Sequence, residues 1–499
     1  MNVKNLFSVI LVAGTLLLNS CGSKTVAYDD AVSRIIANNE PGFMMSMSVG
    51  DLLKKGGISS RENIPMIAQM LLAEKIDYIS DPSKAGMDVS GKTYMGVSGD
   101  AKGPVVWMSA KVGDKEKFEK LLKDEGVDKF EEIEGYNTNT EGNATIGWND
   151  ELLLMVVNDK GNPKETFKQY VTGIKEEKKP SAGFEKFIAA KADMAFFTNF
   201  DKFGEIQKSM PKGASQKDME MLNRMTNKMK GSSSMFTVSF ENDKIVVDLV
   251  NNYSSTVKKE MDFFSKEGTP SELLTMIGSG ELNGFVAMNG NIQKGLDWIM
   301  SIAGDNDVFA DASAKSGLDV KQILASLKGN VLFSFLGFKT KEDSKKTEPL
   351  FSLIATVGNN YIETIVDSVL KDRKKGNYYV AGEEWNPSYV SFRPGIVFVT
   401  NDQDLAANTA PNAAPQLDNV AKSALAKPFA FYFNLNKIIA GSSQEEMVQK
   451  IAKKIKYTFG GMDINGGHAE LILDNGGKNA LWTIINFSVE ATASMAPQI

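Results

Sequence analysis

The chain contains one cysteine and one histidine among 499 residues, and both scarcities exclude chemistry. A single thiol, Cys21, cannot form a disulfide within the chain and leaves no second thiolate for a metal site. Zinc, haem and histidine-dependent acid–base mechanisms need several imidazoles or one held by a partner, and the sequence offers only His468. The GxSxG pattern of a nucleophile elbow is also absent. We therefore predict a protein that is not an enzyme and has no catalytic residue, no metal site and no cofactor.

Uninterrupted basic segments are scarce as well. The formal net charge is −6, and lysine-rich segments such as KEEKKP at 175–180 and KTKEDSKK at 339–346 are broken by acids. Nucleic-acid binding usually shows a basic stripe that releases phosphate counterions. We therefore predict no nucleic-acid partner.

The N-terminus has the pattern of a bacterial export signal over residues 1–20. Lys4 supplies a positive charge, Phe7 to Leu18 is almost wholly apolar, and small residues precede Cys21. The tetrad Leu18-Asn19-Ser20-Cys21 resembles the lipobox of bacterial lipoproteins, which implies a diacylated, N-acylated Cys21. More than one acyl chain makes membrane attachment stable. An ordinary secreted protein whose cysteine falls at the cleavage site is the alternative.

The residues after Cys21 bear on localisation. Gly22 to Thr25 contain neither the aspartate that resembles an inner-membrane retention signal nor the acidic cluster that resembles a surface-export signal. We predict a lipid-anchored protein of the outer membrane, on the periplasmic face rather than the cell surface. Residues 21–40 are predicted to form the lipidated tether and spacer.

Internal repetition is the clearest pattern in the rest of the chain. Five blocks of the first half recur in the same order about 240 residues later, which indicates an ancient duplication. The predicted first repeat covers 41–260, a connecting segment covers 261–279, the second repeat covers 280–491 and a tail covers 492–499. The paired blocks are 42–53 with 284–296, 86–99 with 317–337, 107–124 with 353–372, 146–159 with 390–402, and 195–203 with 430–438.

Each repeat is predicted to combine β-hairpins with amphipathic helices. Apolar alternation and a polar turn predict a hairpin of residues 235–240 with 244–250, and its counterpart is predicted to pair 468–473 with 481–489 across the turn 474–477. Helices are predicted after Asp114 and around Ile362–Val369 from apolar residues at helical spacing. The fold class is therefore α+β: two duplicated halves, each a mostly antiparallel sheet with helices packed on one face.

A resemblance to a known family rests on these features together. The export signal and lipobox, Gly42-Phe43, the Gly-Met-Asp at 86–88, the Gly-Leu-Asp at 317–319 and the duplicated order of elements resemble a Bacteroidota family of large lipoproteins whose domain has no known function. The resemblance covers nearly the whole mature chain. It implies localisation and architecture but no activity.

His468 and a group of three acids are the other residues considered for chemistry. His468 alternates with Ala469 and Leu471, which predicts a solvent-facing position on a strand. Asp305, Asp307 and Asp311 lack the glycine and the distal glutamate of an EF-hand loop, which favours an ordinary loop between helices.

Three methionines, Met221, Met225 and Met229, repeat every four residues in a chain that contains 24 methionines. Such a stripe is typical of a helix buried against the sheet. It could instead line an adaptable apolar groove, or bind Cu(I), although no histidine or cysteine accompanies it.

Three functions stay open from the sequence. The first is a non-enzymatic binding or scaffold protein of the cell envelope, attached to the membrane through Cys21, whose partner is an unknown envelope protein or glycan. The second is a carrier for a lipid or another apolar ligand, held in a cavity between sheet and helices. The third is a glycan hydrolase that uses only carboxylates.

Overall fold

The structure is a computed structural model. Cys21, Asp305 and Asp307 lie outside the residues it describes. The described residues are 26–58, 78, 81–100, 103–127, 129–209, 216–277, 282–304, 309–340, 347–383, 386–408, 414–415, 417–442 and 445–495.

The chain divides into two compact units. The first unit comprises the described residues up to Ser254 together with those from Gly476 onward, and the second comprises Ser255–Asn475. The predicted second repeat ran to residue 491, whereas residues 476–491 belong to the first unit. The chain therefore returns to its first unit after completing the second.

The described strands of the first unit form one antiparallel sheet. Their bounds are β1 Phe43–Met47, β2 Met87–Asp88, β3 Thr93–Asp100, β4 Gly103–Val112, β5 Glu131–Ile133, β6 Tyr136–Glu141, β7 Ala144–Trp148, β8 Leu152–Asn158, β9 Met194–Asn199, β10 Ser233–Glu241 and β11 Lys244–Asn252. The strand order is β5-β6-β7-β8-β4-β3-β1-β9-β10-β11, and β2 also pairs with β4.

The second unit has a sheet of the same kind. Its strands are β12 Gly284–Asn289, β13 Leu327–Thr340, β14 Thr347–Val357, β15 Lys374–Lys375, β16 Tyr378–Glu383, β17 Asn386–Arg393, β18 Ile396–Thr400, β19 Phe429–Phe433, β20 Ile455–Asp463 and β21 Gly466–Leu473. Their order is β15-β16-β17-β18-β14-β13-β12-β19-β20-β21, all antiparallel. Strand for strand, this is the order of the first unit. The duplication itself stays a prediction.

Helices complete both units, so the predicted α+β class is confirmed. In the first unit they are α1 Tyr28–Asn39, α2 Val49–Gly56, α3 Lys115–Asp124, α4 Pro163–Gly173, α5 Ala182–Ala189, α6 Phe200–Ser209 and α7 Gln216–Lys228, with a 3₁₀ helix at Pro82–Ala85. In the second they are α8 Ser255–Glu260, α9 Ile292–Ala303, α10 Ala310–Ser316, α11 Val320–Ala325, α12 Tyr361–Leu370, α13 Gln403–Ala407, α14 Asn419–Leu425, α15 Leu435–Ser442 and α16 Glu446–Ala452, with 3₁₀ helices at Ser271–Ile277 and Lys371–Arg373. The chain ends with α17, Ala480–Met495, in the first unit.

Several predicted elements are confirmed in detail. The hairpin of β10 and β11 closes at Glu241 opposite Lys244. Helix α3 begins after Asp114, whose side chain accepts a hydrogen bond from the Lys117 N–H at 3.1 Å, and its apolar stripe is buried. Helix α12 also forms, but Val369 of its predicted stripe is 64% exposed.

The predicted strand at 481–489 is wrong, because these residues lie in α17. In LWTIINFSV, apolar residues recur at every second position, as in a strand, and also three or four positions apart, as in a helix. Periodicity could therefore not distinguish strand from helix. The helix begins directly after Asn479, whose side chain accepts from the Leu481 N–H at 3.0 Å. It packs on α2 where Gly56 and Gly57 lack side chains: a Cβ at Gly57 would lie 2.7 Å from the Trp482 ring. The strand paired with β21 is β20 instead.

Each sheet has a backbone hydrogen bond from the end of its first strand to the residue just before the strand beside it. These two bonds identify equivalent positions in the two sheets. The Ser48 N–H donates to the Asp193 carbonyl at 2.8 Å, and the Asn289 N–H donates to the Pro428 carbonyl at 2.6 Å. Counted from these bonds, Met44 is equivalent to Phe285, and both are fully buried. In this block the predicted alignment paired Gly42 with Gly284 and so is shifted by one residue.

Candidate functional site

A cleft of ≈ 780 Å³ lies in the first unit, where β1 ends and β3 begins. Its walls are helix α2, the turn between β2 and β3, and the segment that joins α5 to β9. Charged side chains line it, and we call it the lysine cleft. These side chains are Lys54, Lys55, Lys92, Lys191, Asp51, Asp88 and Asp193.

Close backbone approach places α2 beside the turn between β2 and β3. A Cβ at Gly50 would lie 2.7 Å from the Val89 carbonyl oxygen, so this position accepts only glycine without displacement. The hydrogen bond from Ser48 to Asp193 joins the end of β1 to the start of β9. Backbone contacts therefore hold α2, the turn after β2 and the start of β9 beside one another.

Asp193 anchors one side of the cleft. Its side chain is 3% exposed, and the Lys55 amine donates to both of its carboxylate oxygens at 2.7 Å. The same carboxylate accepts the Phe240 N–H at 2.6 Å. A buried carboxylate with an amine and an N–H as donors has a compensated charge, so this ion pair is part of the framework.

Asp88 anchors the opposite side in the same way. Its side chain is 3% exposed and lies 2.7 Å from the Lys111 amine, and it also accepts the Ser90 N–H at 2.8 Å. The hydrogen bond with Asp88 raises the pKa of the Lys111 amine above its ordinary value of 10.5. Both buried acids of the cleft are thus paired with lysines, unlike the facing acids of a carboxylate-only hydrolase.

Lys92 is a half-buried amine of the cleft. It donates to the Ile188 carbonyl at 3.0 Å and to the Ala190 carbonyl. Burial lowers the pKa of the Lys92 amine below 10.5, an effect that the Asp29 carboxylate opposes. An ammonium group has three N–H donors, so one remains for a ligand.

The remaining charges give the cleft an excess of positive charge. Once Lys55 and Lys111 are assigned to the two buried acids, three lysines, Lys54, Lys92 and Lys191, line the cleft with one acid, Asp51. Asp29, outside the lining, acts on Lys92 as well. Among the described residues, neither Lys54 nor Lys191 takes part in an ion pair, and both are exposed. In a chain with a net charge of −6, this arrangement is suited to bind an anion.

The sequence reasoning missed this cleft, although one signal was present. Residues 86–93 read GMDVSGKT, the spacing GxxxxGK-Thr of a phosphate-binding loop. That motif needs a helix after the loop, so that helix-start N–H groups face the phosphates, but here the lysine leads into strand β3. The Lys92 amine also points to carbonyls of residues 188 and 190. The residues line an anion-compatible cleft without forming a nucleotide cradle.

The predicted methionine stripe lies on α7 and just beyond it. Met221 is 42% exposed, Met225 is half-buried and Met229 is 6% exposed, so burial increases along the stripe. Its end at Met229 is packed in the protein and its start faces solvent. The apolar groove stays a prediction.

His468 faces solvent on β21, as predicted. Its Nε2 lies 3.2 Å from Glu470 Oε1, and its side chain is 47% exposed. Asp311 lies in helix α10, but its side chain is not among those described. Within the described ranges, no three potential metal ligands cluster. None of the helices in those ranges is long and apolar enough to cross a bilayer.

Comparison with known proteins identifies a family without a known activity. The model of a family described as a domain of unknown function, DUF4836, matches residues 68–454. No curated protein matches the chain. Three solved structures of TP0453 are similar in part: crystal form III (14% identity, 43% of this chain and 84% of that chain, TM-score 0.25), form IV (12%, 43% and 94%, 0.22) and form I (10%, 76% and 93%, 0.19).

Proposed function

We propose that this chain, which belongs to the DUF4836 family of unknown function, is a non-enzymatic binding protein of the cell envelope that holds an anionic ligand in the lysine cleft. One observation carries the proposal: beyond the two buried ion pairs, three lysines line the cleft against one lining aspartate, Asp51, and even with the nearby Asp29 the lysines are in excess. A ligand with phosphate or carboxylate groups supplies the missing negative charge.

The size and rigidity of the cleft support this reading. A volume of ≈ 780 Å³ falls in the range of small-ligand sites, about 300–1,000 Å³. The buried pairs Lys55–Asp193 and Lys111–Asp88 fix the cleft walls before a ligand arrives, so little ordering entropy is lost on binding. Lys54 and Lys191, which are exposed, would complete the contact.

Binding of glycerol 3-phosphate, with glycerol as the uncharged counterpart, tests the proposal by calorimetry. The double variant Lys54→Gln and Lys191→Gln is expected to weaken glycerol 3-phosphate binding about tenfold, since each exposed charge pair contributes about 0.5–1 kcal/mol. The matched control replaces Lys178 and Lys179, two exposed lysines of the same unit outside the cleft. Equal affinity for glycerol and its phosphate, or equal losses in both double variants, would contradict an anion site.

Attachment to the outer membrane is proposed from the sequence. The apolar run before Cys21 and the tetrad ending at that residue support a lipidated N-terminus. Metabolic labelling with a fatty acid tests it: the wild-type chain is expected to carry label and to sediment with outer membranes, and Cys21→Ala to lose both. Label retained by Cys21→Ala would exclude that cysteine as the attachment point.

The absence of enzymatic activity has its own test. The purified mature chain is expected to release no product from peptidoglycan or envelope glycans. A hydrolase would be established instead if product formed, if Asp88→Asn or Asp193→Asn abolished it, and if the double variant of Lys178 and Lys179 retained it.

A second candidate function, a carrier of an apolar ligand, is favoured by another cleft. This cleft of ≈ 980 Å³ lies in the second unit and is lined in part by Leu274, Leu417, Leu425 and Pro415. A fluorescent fatty acid is expected to bind there if the chain is a carrier, and Leu417→Asp is expected to abolish that binding. No binding to the wild-type chain would remove this alternative.

A further inference from the structure

A cleft in the second unit occupies the place that the lysine cleft occupies in the first. It lies where β12 ends and β13 begins, and it encloses ≈ 520 Å³. We call it the asparagine cleft, because its lining includes Asn289, Asn291 and Asn330 together with Phe263 and Phe264. Only one lysine and one aspartate, Lys328 and Asp262, are among its lining residues, and both are exposed. The cleft therefore carries no net charge.

Two of its amides have fixed orientations. The Asn289 amide nitrogen donates to the Glu267 carbonyl at 3.2 Å and the Gly268 carbonyl at 2.9 Å, which leaves its oxygen as an acceptor. The Asn291 oxygen accepts the Lys294 N–H at 3.0 Å as the helix N-cap, which leaves its amide nitrogen as a donor. An acceptor and a donor thus lie two residues apart at one edge of the cleft.

The aromatic side of the cleft is held by backbone contacts. The Asn291 N–H donates to the Phe263 carbonyl at 2.6 Å, and Phe264 pairs with Gly290 in a β-bridge. A Cβ at Gly290 would lie 2.3 Å from the Phe263 carbonyl oxygen, so only glycine permits this approach. The Phe263 ring centre lies 6.1 Å from that of Trp298. Phe263 and Phe264, whose ring centres lie 4.8 Å apart, line the cleft together with the amides, whereas Trp298 is not part of the lining.

We propose that the asparagine cleft binds an uncharged saccharide. Sugar hydroxyls both donate and accept hydrogen bonds, so an oriented acceptor and an oriented donor suit them. The C–H face of a pyranose ring packs on the electron-rich face of an aromatic ring, which Phe263 or Phe264 supplies. The absence of net charge disfavours the anions that the lysine cleft attracts. The site is separate from the proposed anion site and does not depend on it.

Gly329 offers a way to fill the cleft without disturbing the fold. A Cβ there would point toward Gly290 and Asn289, with nearest atoms at 3.5 and 3.9 Å, which are ordinary contact distances. Gly358 is the matched control: its Cβ would meet Ser326 and Lys328 at 3.7 and 3.9 Å, and it does not line the cleft. Neither glycine has a positive φ. We therefore compare Gly329→Phe with Gly358→Phe.

Ligand-observed NMR titration of the mature chain with maltose and with N,N′-diacetylchitobiose is the test. The wild-type chain is expected to bind at least one of these sugars, Gly329→Phe to weaken binding at least tenfold, and Gly358→Phe to leave it unchanged. Circular dichroism establishes that both variants are folded. Asn291→Asp, which keeps the helix cap and removes the amide donor, is expected to weaken sugar binding as well.

The result separates this proposal from the anion site. No sugar binding to the wild-type chain, or equal binding by Gly329→Phe, overturns the saccharide site even if glycerol 3-phosphate binds. Sugar binding that is lost on Lys54→Gln and Lys191→Gln, and retained by Gly329→Phe, places the sugar in the lysine cleft and also overturns it.

Discussion

The two units have the same strand order, but the clefts at equivalent ends of their sheets differ in chemistry. In the first unit, β1 leads into a helix that brings Lys54 and Lys55 to the lysine cleft. In the second, β12 ends at Asn289 and Gly290-Asn291 leads into α9, and amides and aromatic rings line the asparagine cleft. The comparison teaches that strand topology fixes where a cleft forms, whereas a few side chains after the first strand decide what it can bind.

The cores below the clefts differ as well. In the first unit Trp107 is fully buried opposite Gly96, where any Cβ would lie 2.4 Å from the indole ring. The equivalent pair in the second unit is Ser334 and Ser352, also fully buried, and no described group is a hydrogen-bond partner of either hydroxyl. One unit fills this layer with a ring over a glycine, and the other leaves two small polar side chains there.

The repeated aspartates show the same divergence at a single position. Gly86 and Gly317 both have positive φ, at 73° and 69°, and each ends a short helix. The aspartate two residues later is Asp88, buried and paired with a lysine in the first unit. In the second unit it is Asp319, which caps helix α11 by accepting the Gln322 N–H at 2.9 Å. The same turn geometry therefore places an aspartate in an ion pair in the first unit and at a helix N-terminus in the second.

Substitution of the core pair is expected to give the largest contrast between the units. Trp107→Ala is expected to lower the free energy of unfolding by about 3–5 kcal/mol, because it leaves a cavity over Gly96. Ser352→Ala removes a hydroxyl without a described partner and is expected to change stability by less than about 1 kcal/mol, or to increase it. Urea unfolding with hydrogen exchange of β4 and β14 measures each unit. Equal losses would contradict the difference in packing.

Loss of Lys55 and loss of Asp193, the two partners of one ion pair in the lysine cleft, are expected to lower the free energy of unfolding by different amounts. Lys55→Met leaves the buried Asp193 charge uncompensated and is expected to cost about 3 kcal/mol, whereas Asp193→Asn leaves a partly exposed amine and is expected to cost about 1–2 kcal/mol. Lys450→Met, which breaks an exposed pair with Glu446 in the second unit, is expected to cost less than about 0.5 kcal/mol. Urea midpoints measure all three, and a similar cost for Lys55→Met and Lys450→Met would contradict a structural role for Asp193.

The sequence predicted the elements better than their pairing. Helix α3 and the hairpin of β10 and β11 carry strong local signals, a cap and a polar turn, and both formed as predicted. The repeat block 42–53 with 284–296 was aligned one residue out of register, whereas 195–203 with 430–438 was aligned correctly. In a strand a shift of one residue exchanges the buried and exposed faces. The backbone hydrogen bonds donated by Ser48 and Asn289 establish that Met44, rather than Phe43, matches Phe285. The sequence alone does not contain this information.

The candidate sites were less accessible to sequence reasoning than the fold. The lysine cleft combines α2, the turn after β2 and the segment before β9, which are up to 145 residues apart from Ser48 to Asp193. No spacing within one element reveals such a cluster. The strand expected at 481–489 failed for a related reason: tertiary packing on Gly56 and Gly57 selected a helix for an ambiguous apolar run.

The pH dependence of the first unit is expected to differ from that of the second above pH 10. Because the folded pKa of Lys111 is raised, its stabilising contribution is fully present below 10.5 and is lost as the pH rises through the raised value. Lys92 has a lowered pKa and acts in the opposite sense, since stability increases with pH between its lowered value and 10.5. Burial also raises the pKa values of Tyr28, Tyr94 and Tyr136 in this unit, so these phenols add to the alkaline loss. The variant Lys92→Met is therefore expected to retain the full alkaline loss and Lys111→Met to show a smaller one. Urea midpoints from pH 9 to 12 test this, and an unchanged loss in Lys111→Met would exclude the ion pair with Asp88 as a contributor.

The smallest expected effect concerns the helix that returns to the first unit. Asn479→Ala removes the hydrogen bond to the Leu481 N–H and the one from the Asn479 amide to the Phe240 carbonyl, so α17 is expected to lose about 1 kcal/mol. Asp319→Ala, which removes one capping bond of α11 in the second unit, is the matched variant and is expected to cost about the same. Hydrogen exchange should show the Asn479 effect in α17 and in α2, against which α17 packs, but not in α11. Exchange that increases in α17 alone would mean that the helix does not stabilise the first unit, and that the return of the chain has no energetic consequence there.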